Sequence, residues 1–378
     1  MRDRFRILRT PAEWSYLHSI WEEIIKQQSD NILGMDVTCT SVWAENLWEN
    51  HLERRGMEIA VMEADGDVQA ILPFCRTSKR VHSIYCRGLA PVTELYSGRC
   101  GFLLREFKPE QLMRMIMGIQ QNVPDWDVFT FTLVEGSQSR RLLQELEAAG
   151  ELRVEKLATQ TSPYIMLNGD WEGYFSQLPK KFRWNLRNCD KKMRAAGETE
   201  YQIFEAGSNL DRFHDAVREI EKESWKEKSG TSLTANQLQE SFHRRFMVIA
   251  ERCGWFSGHL LLFRREAIAY VWGLLYGNIF YDFKESYKSV HNELGPGHVL
   301  KLALIERLFR LRVPLYDYMG VCEPYKLRWT DKTYQRSTFI VYNNTLRGQT
   351  ARFAGKISAR IGKGKQPAAE FLSGVAIE

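Results

Sequence analysis

Asn278-Ile-Phe-Tyr-Asp-Phe-Lys-Glu-Ser-Tyr287, a short polar link, Leu294-Gly-Pro-Gly-His298, a helical run to about Arg312, Leu315-Tyr-Asp-Tyr-Met-Gly320 and finally Pro324-Tyr-Lys326 form the stretch around which the chain is read. The order is aromatic strand, glycine turn, helix, strand. The first turn of a helix carries N–H groups without partners, and the helix dipole favours negative charge there. Gly295 and Gly297 add no side chain to block approach, so the turn suits a phosphate. A plainer reading, in which Gly-Pro-Gly only separates strand from helix, stands beside it.

Asn292-Glu293-Leu294-Gly295-Pro296-Gly297 resembles the acetyl-CoA motif of the GNAT acyltransferase superfamily. In that family the pattern is Arg or Gln, two residues, Gly, any residue, then Gly or Ala. The turn follows the fourth strand and cradles the coenzyme A pyrophosphate. Asn292 departs from it: an amide donates a hydrogen bond but brings no charge. Tyr316-Asp317-Tyr318-Met319-Gly320, with Tyr325-Lys326 and Trp329, is similar to the CelD-like branch. That branch is associated with bacterial cellulose and other exopolysaccharide synthesis and is related to the Fem-type aminoacyltransferases. The resemblance implies acetyl-CoA as co-substrate, held near Tyr281, Phe283, Asn292, Gly295, Gly297 and His298. It also implies that a backbone amide within Tyr281–Phe283 polarises the acyl carbonyl.

Acyl transfer from a thioester further needs a base for the nucleophile and a proton for the departing thiolate. Asp317 and Asp282 are the candidate bases, because a carboxylate in mid-strand is unexpected unless it is paired or functional. Tyr325 could protonate the thiolate, and Lys326 could neutralise developing charge. Each has a plainer rival: Asp317 can cap a turn or pair with Lys326, and the tyrosines can be core aromatics. No Gly-x-Ser-x-Gly, Walker or His-Glu-x-x-His signature occurs, and the eight scattered histidines suggest no metal site.

Composition agrees with a folded protein: of 378 residues, 44% are hydrophobic and 26% charged, enough for about two domains. The formal charge is only +5, and six Lys or Arg against two Glu lie from Arg347 onward. The body is therefore near neutral, which argues against a nucleic-acid partner. Seven scattered cysteines, with no Cys-x-x-Cys pair, fit a reducing cytoplasm. The N-terminus lacks an apolar signal core, and the longest apolar run, Ala267 to Tyr276, is too short to span a bilayer. The oligomeric state is not legible.

In chain order, Pro11 to Gln27 and Ser41 to Arg55 have helical spacing. Met57 to Glu63 and Val68 to Phe74 read as strands joined at Asp65-Gly66, with a third near His82 to Gly88. A helix after Pro109, a strand at Asp127 to Leu133, a helix from Gln138 and strands around Val154 and Tyr164 follow. The second half reads as helices at Trp171 to Ala195, Leu210 to Lys226 and Ala235 to Arg252. Strands at Trp255 to Phe263, Ala267 to Tyr276 and Ile279 to Lys284 come next, then the Pro296 to Arg312 helix and closing strands at Leu315 and Phe339.

The expected fold is thus α/β with mixed sheets: two tandem GNAT-like domains, each a mostly antiparallel sheet flanked by helices. Expected bounds are 1–165 for the first, 166–345 for the catalytic second and 346–378 for a basic flexible tail. Ala90-Pro91 to Gly101 lacks a close glycine pair opening a helix. The first domain is therefore expected to shape the acceptor groove rather than bind the donor.

Within Trp171 to Arg194, Phe182, Leu186, Cys189 and Met193 share one helix face, and Arg183, Arg187, Lys191 and Arg194 line the adjoining one. The plain reading is a solvated basic face; the family resemblance implies that it meets a phosphate-bearing acceptor. Arg352, Lys356, Arg360 and Lys363 would suit peripheral contact with an anionic membrane, against a plainer solvated end. The resulting expectation is a GNAT N-acetyltransferase acting on an amino or hydroxyl group of a sugar or cell-surface polysaccharide precursor. Fem-type transfer from aminoacyl-tRNA to a peptidoglycan precursor, and a non-catalytic module of exopolysaccharide synthesis, are the alternatives.

Overall fold

Arg4 and Arg6 alternate with Phe5 and Ile7 in the first strand, β1 (Asp3–Leu8), a period of two that turns both apolar side chains toward a core. The computed structural model describes residues 3–28, 37–52, 56–92, 98–230, 232–234 and 237–360. The chain divides into two compact units, Met1–Gln160 with Gln335–Glu378, and Thr161–Tyr334.

In unit 1, β1 is followed by helices α1 (Pro11–Trp14), α2 (Leu17–Gln27) and α3 (Ser41–Leu47). Strands β2 (Met57–Ala64), β3 (Asp67–Val81) and β4 (Ile84–Pro91) form the meander. Asp65 and Gly66 at the first turn, and His82 and Ser83 at the second, all take positive φ, as two-residue hairpin turns require. The third strand expected near His82 is therefore the far arm of a long second hairpin. Then come β5 (Leu103–Leu104), α4 (Pro109–Asn122), β6 (Val128–Val134), α5 (Gln138–Ala148) and β7 (Val154–Met166), a single strand where two short ones were expected. β6 joins β4 in parallel. Leu112, Ile116 and Ile119 of α4 and Leu142, Leu143 and Leu146 of α5 pack with Phe74, Phe129 and Phe131 of the sheet.

Unit 2 continues with α6 (Trp171–Gln177) and α7 (Lys180–Ala196). They replace the single helix expected over Trp171 to Ala195, because Pro179 holds the preceding Leu178 in an extended conformation. Next are β8 (Thr199–Phe204), α8 (Leu210–Lys222), α9 (Trp225–Lys228) and α10 (Gln237–Arg252). The meander β9 (Phe256–Phe263), β10 (Glu266–Tyr276), β11 (Ile279–Tyr287), the helix α11 (Pro296–Arg310) and β12 (Leu315–Asp317) lie where expected. The sheet order is β8-β9-β10-β11-β12-β7, with β11 and β12 parallel and the other pairs antiparallel.

Each unit thus has a three-stranded meander, a parallel neighbour and an antiparallel strand beyond it. The parallel connection passes through a helix, as parallel pairing demands. The last strand differs from expectation. β13 (Thr333–Tyr342) does not close the second unit: Phe339 faces Phe131, Thr338 faces Thr132, and the strand completes the sheet of unit 1. Its Phe339, Ile340 and Val341 are buried there. The expected boundary near 345 accordingly falls near 335. The expected flexible tail begins as a helix, α12 (Leu346–Arg360), packed on β4 with Ala351 in a small apolar cluster. Lys363 and the rest of 361–378 lie outside the described residues, as does 93–97 within the Ala90 to Gly101 segment.

One core group makes unit 2 sensitive to acid. His259 on β9 is fully buried between the Tyr201 hydroxyl (2.7 Å to Nδ1) and the Ser257 hydroxyl (2.9 Å to Nε2). Burial, helped by the Arg307 charge, lowers its pKa from 6.5 to about 3. A depressed histidine contributes stability above its unfolded pKa and loses it as pH falls toward the folded value, by about 1.4 kcal/mol per pH unit at most. His259→Leu should therefore be less stable than the parent at pH 7, with the gap narrowing between about pH 6.5 and 3. Urea midpoints at pH 7, 5 and 4 give the comparison; parallel curves would remove His259 as the cause.

Candidate active site

β11 pairs with β12 at three positions, Ile279 with Leu315, Phe280 with Tyr316 and Tyr281 with Asp317, after which β11 runs on to Tyr287 paired only with β10. Its ladder with β10 also slips here: Gly273 faces Asp282 and Trp272 faces Lys284, so Phe283 is the extra residue of a bulge. Gly273 permits this because any Cβ there would collide with the Tyr281 carbonyl oxygen and the Phe280 ring. The two parallel strands therefore part at Asp282.

Ionisable side chains gather at the parting. Phe280, Asp282 and Tyr316 share one face, where the Phe280 and Tyr316 rings stack and the Tyr316 hydroxyl donates to Asp282 at 2.5 Å. From α11, buried Lys301 reaches Asp282 Oδ2 at 3.3 Å and Glu285 Oε2 at 2.6 Å. Its Nζ lies 4.5 Å from the Tyr318 ring centre. Lys326 is 5.8 Å from the same ring, 5.6 Å from that of Tyr325, and is paired with Glu323 at 2.8 Å. The Tyr318 hydroxyl is buried and has no hydrogen-bond partner among the described residues.

The two neighbouring carboxyls are driven in opposite directions. Burial, then the Glu285 charge, raises Asp282, with Lys301 only partly opposing. Burial also pushes Glu285 up, but the Lys301 charge and hydrogen bond outweigh it and hold Glu285 low. The pair is thus split, Asp282 holding its proton more tightly than an ordinary carboxyl and Glu285 less tightly, the kind of separation that divides acid from base roles. Burial, then the nearby Glu285 and Asp282 charges, raises the Tyr325 phenol, so it serves better as a hydrogen-bond donor than as a source of a proton.

Asp317 falls on the opposite face with Tyr281. Its Oδ1 accepts from the Met319 amide at 2.7 Å and from the Tyr334 hydroxyl at 3.3 Å, which is the turn-capping role rather than a pair with Lys326. The Tyr281 ring is buried, and Phe283 stacks on Trp272. Of the residues gathered here, Asp282, Tyr325 and Lys326 were candidates from the sequence, and Glu285, Lys301, Tyr316 and Tyr318 were not. Lys301 did carry a signal, as a lone charge in the apolar helical run Val299-Leu300-Lys301-Leu302-Ala303-Leu304-Ile305.

At the glycine turn, Gly295 takes φ 64°, and a Cβ there would meet Cys189 Sγ of α7 at 2.6 Å. Backbone conformation and close packing thus account for Gly295 without a ligand. The Gly295 amide turns to Asn292, and those of His298 and Val299 to Gly295. At Gly297 an added Cβ would meet the Tyr287 ring at 3.3 Å. Asn292 is exposed and accepts from the Tyr287 hydroxyl at 3.1 Å. His298 sits between Phe182 and Trp329, held neutral by burial and by the Arg328 and Lys301 charges.

Arg183 and Arg187 line a cavity of about 340 Å³ with Trp171, Phe175, Leu302 and Glu306. The Arg187 guanidinium lies 5.1 Å from the Phe175 ring centre, and Arg183 Nε is buried without a partner. Lys191 is exposed on α7 and does not line it. Among the described residues no cluster of His, Cys, Asp or Glu is arranged to hold a metal, and no helix is long and apolar enough to cross a membrane.

Residues 180–327, which include the strand parting, the bulge, the glycine turn and the Lys301 cluster, match the family model described as an acetyltransferase (GNAT) domain. Unit 2 carries a GNAT acyltransferase domain. No curated protein matches the chain. Among solved structures, the chain is similar in fold to FemX, with a TM-score of 0.59 and 11% identity over 85% of this chain and 96% of that one. A tandem GNAT protein from the clavulanic acid biosynthesis pathway gives 0.52 and 13% over 89% and 98%. The C-terminal domain of a putative lysylphosphatidylglycerol synthetase from Agrobacterium fabrum gives 0.51 and 11% over 89% and 96%. The fold is that of two GNAT-like units in tandem.

The packing of the GNAT turn can be checked directly. Gly295→Ala should cost about 1–2 kcal/mol for the left-handed backbone, and more from the Cys189 contact. Cys189→Gly in the same chain should recover the contact part, read from denaturation midpoints as a double-mutant cycle. Equal losses in both backgrounds would mean that α7 does not press on the turn.

Proposed function

We propose that unit 2 transfers an acyl group, with acetyl-CoA as the first donor to test, to an amino or hydroxyl group of a phosphate-bearing sugar precursor of a surface polysaccharide. The observation that carries the reading is the Asp282–Lys301–Glu285 cluster, sunk where β11 and β12 part. Two further features support a thioester donor and an anionic acceptor. The orphaned Tyr318 hydroxyl offers a hydrogen bond to a ligand. The Arg183 and Arg187 cavity, walled by Trp171 and Phe175, suits a phosphate joined to a planar or apolar group.

In the step we propose, the acceptor nitrogen or oxygen bonds to the acyl carbon as the carbon–sulfur bond breaks. Glu285 takes the acceptor's proton, and Asp282 gives its own to the thiolate. Tyr318 and Tyr325 donate hydrogen bonds, and Lys301 holds the carboxyl pair in register. Around the turn, Gly297, His298 and the flanking Lys192 and Arg328 charges stand in for the missing Arg at position 292 in holding the donor's diphosphate; these charges act on Cys189 and His298 respectively. Donor binding is assigned to unit 2, with no donor role for unit 1. The seven free cysteines support a cytoplasmic setting.

A second reading changes the donor to an aminoacyl-tRNA and the acceptor to a peptidoglycan precursor, and the whole-chain likeness to the FemX fold favours it. Calorimetry separates the two. Micromolar acetyl-CoA binding supports the first, and salt-steep binding of charged tRNA without acetyl-CoA binding supports the second. Asp282→Asn should leave acetyl-CoA affinity within about twofold and lower kcat by about 10²–10⁴. In the parent, kcat should fall as pH rises through the raised Asp282 pKa, and the variant should lose that limb. Unchanged turnover would rule out the assigned acid. Arg187→Ala should weaken binding of UDP, used as a probe, by about tenfold; identical affinity in parent and variant would reject the cavity as the phosphate subsite.

A further inference from the structure

A helix laid on a sheet normally buries its large apolar side chains. α12 does the reverse. Its inward face is Gly348, Ala351 and Gly355, all buried. A Cβ at Gly348 would come within 2.7 Å of the Asp127 carbonyl oxygen, and one at Gly355 within 2.5 Å of His82 Nε2. Small residues therefore let the helix lie close on unit 1. Its large residues point outward, with Leu346 85% exposed, Phe353 66% and Ile357 41%. Spaced by seven and four, these three form one stripe along the helix. Arg347 borders the stripe on one side, and Arg352 and Lys356 on the other. No Asp or Glu occurs between 346 and 360.

We propose that this face of α12 docks on an anionic lipid surface, with Leu346, Phe353 and Ile357 entering the headgroup boundary and Arg347, Arg352 and Lys356 meeting lipid phosphates. Charge complementarity selects this occupant. An apolar stripe flanked by bases on both sides fits a surface that is apolar below and negative above. A second copy of the same face would set these bases against one another with no acid to offset them. The segment 361–378 is the other candidate cover, since it contains Phe371, Leu372, Val375 and Ile377.

The test is flotation of the full chain with phosphatidylcholine vesicles, with and without one quarter phosphatidylglycerol. The expected result is binding to the anionic vesicles at least tenfold tighter than to the neutral ones, reduced by 0.5 M NaCl. Each of Arg347, Arg352 and Lys356 changed to Gln should weaken it roughly fivefold. The triple change Leu346→Ser, Phe353→Ser, Ile357→Ser should weaken it more than tenfold while leaving the thermal midpoint unchanged, because these side chains are exposed. Phe353→Trp should shift its fluorescence to the blue on anionic vesicles alone. Equal flotation of parent and triple variant, or none by the parent, overturns the proposal. So does vesicle binding that appears only in a chain ending at Arg360, which makes 361–378 the cover. Self-association abolished by the triple variant, without vesicle binding, makes a second copy the occupant.

Discussion

A buried lysine held between a buried carboxyl and a half-buried one is the constraint on which the centre of unit 2 depends. Lys301 is nearly inaccessible, and so is Asp282, so neither polar group is relieved by water. Taking ions out of water costs several kcal/mol each, recovered only where the geometry is good and the remaining hydrogen-bonding capacity is met. Here Tyr316 completes Asp282 and Glu285 completes Lys301. That requirement fixes the helix against the sheet at the point where the parallel strands separate. It also separates the two acids in proton affinity, which an apolar filling of the same space would not do.

The strand parting has its own cause. β12 is short, its pairing ends at Asp317, and the next residues leave the sheet through a turn with Met319 at φ 54°. Asp317 stabilises that turn by accepting from the Met319 amide. The residue expected to act as base thus shapes the opening from the far face. Asp282, at the other side of the same opening, joins Lys301 and Tyr316. The bulge at Phe283 changes the face of every β11 side chain beyond it, and this brings Glu285 to Lys301.

The two units show how local rules and chain connectivity divide the work. Each meander is set by turns whose residues adopt positive φ, and each is followed by a helix returning the chain for a parallel strand. The closing strands do not follow chain order. β13 completes unit 1 after the chain has built unit 2, and the end of β7, the first stretch of unit 2, supplies the antiparallel partner of β12, its last strand. Chain order alone places β13 with the unit just finished, because its apolar pattern of Phe339, Ile340 and Val341 would suit either sheet.

By itself the sequence determined the elements and their kind. Alternation and turn residues gave both meanders, Gly-Pro-Gly gave the start of α11, and the motif of residues 292–297 gave the GNAT fold. It also named Asp282, Tyr325 and Lys326, because polar groups in strands and beside a turn stand out against an apolar background. Tertiary structure alone decided which acids meet which cations. A strand alternates faces, but which face is shared with a helix depends on a bulge and on sheet order. Both are set by long-range packing that no local pattern encodes, and so Glu285 and Lys301 were joined, Asp317 was set apart, and the last strand was given to the first unit.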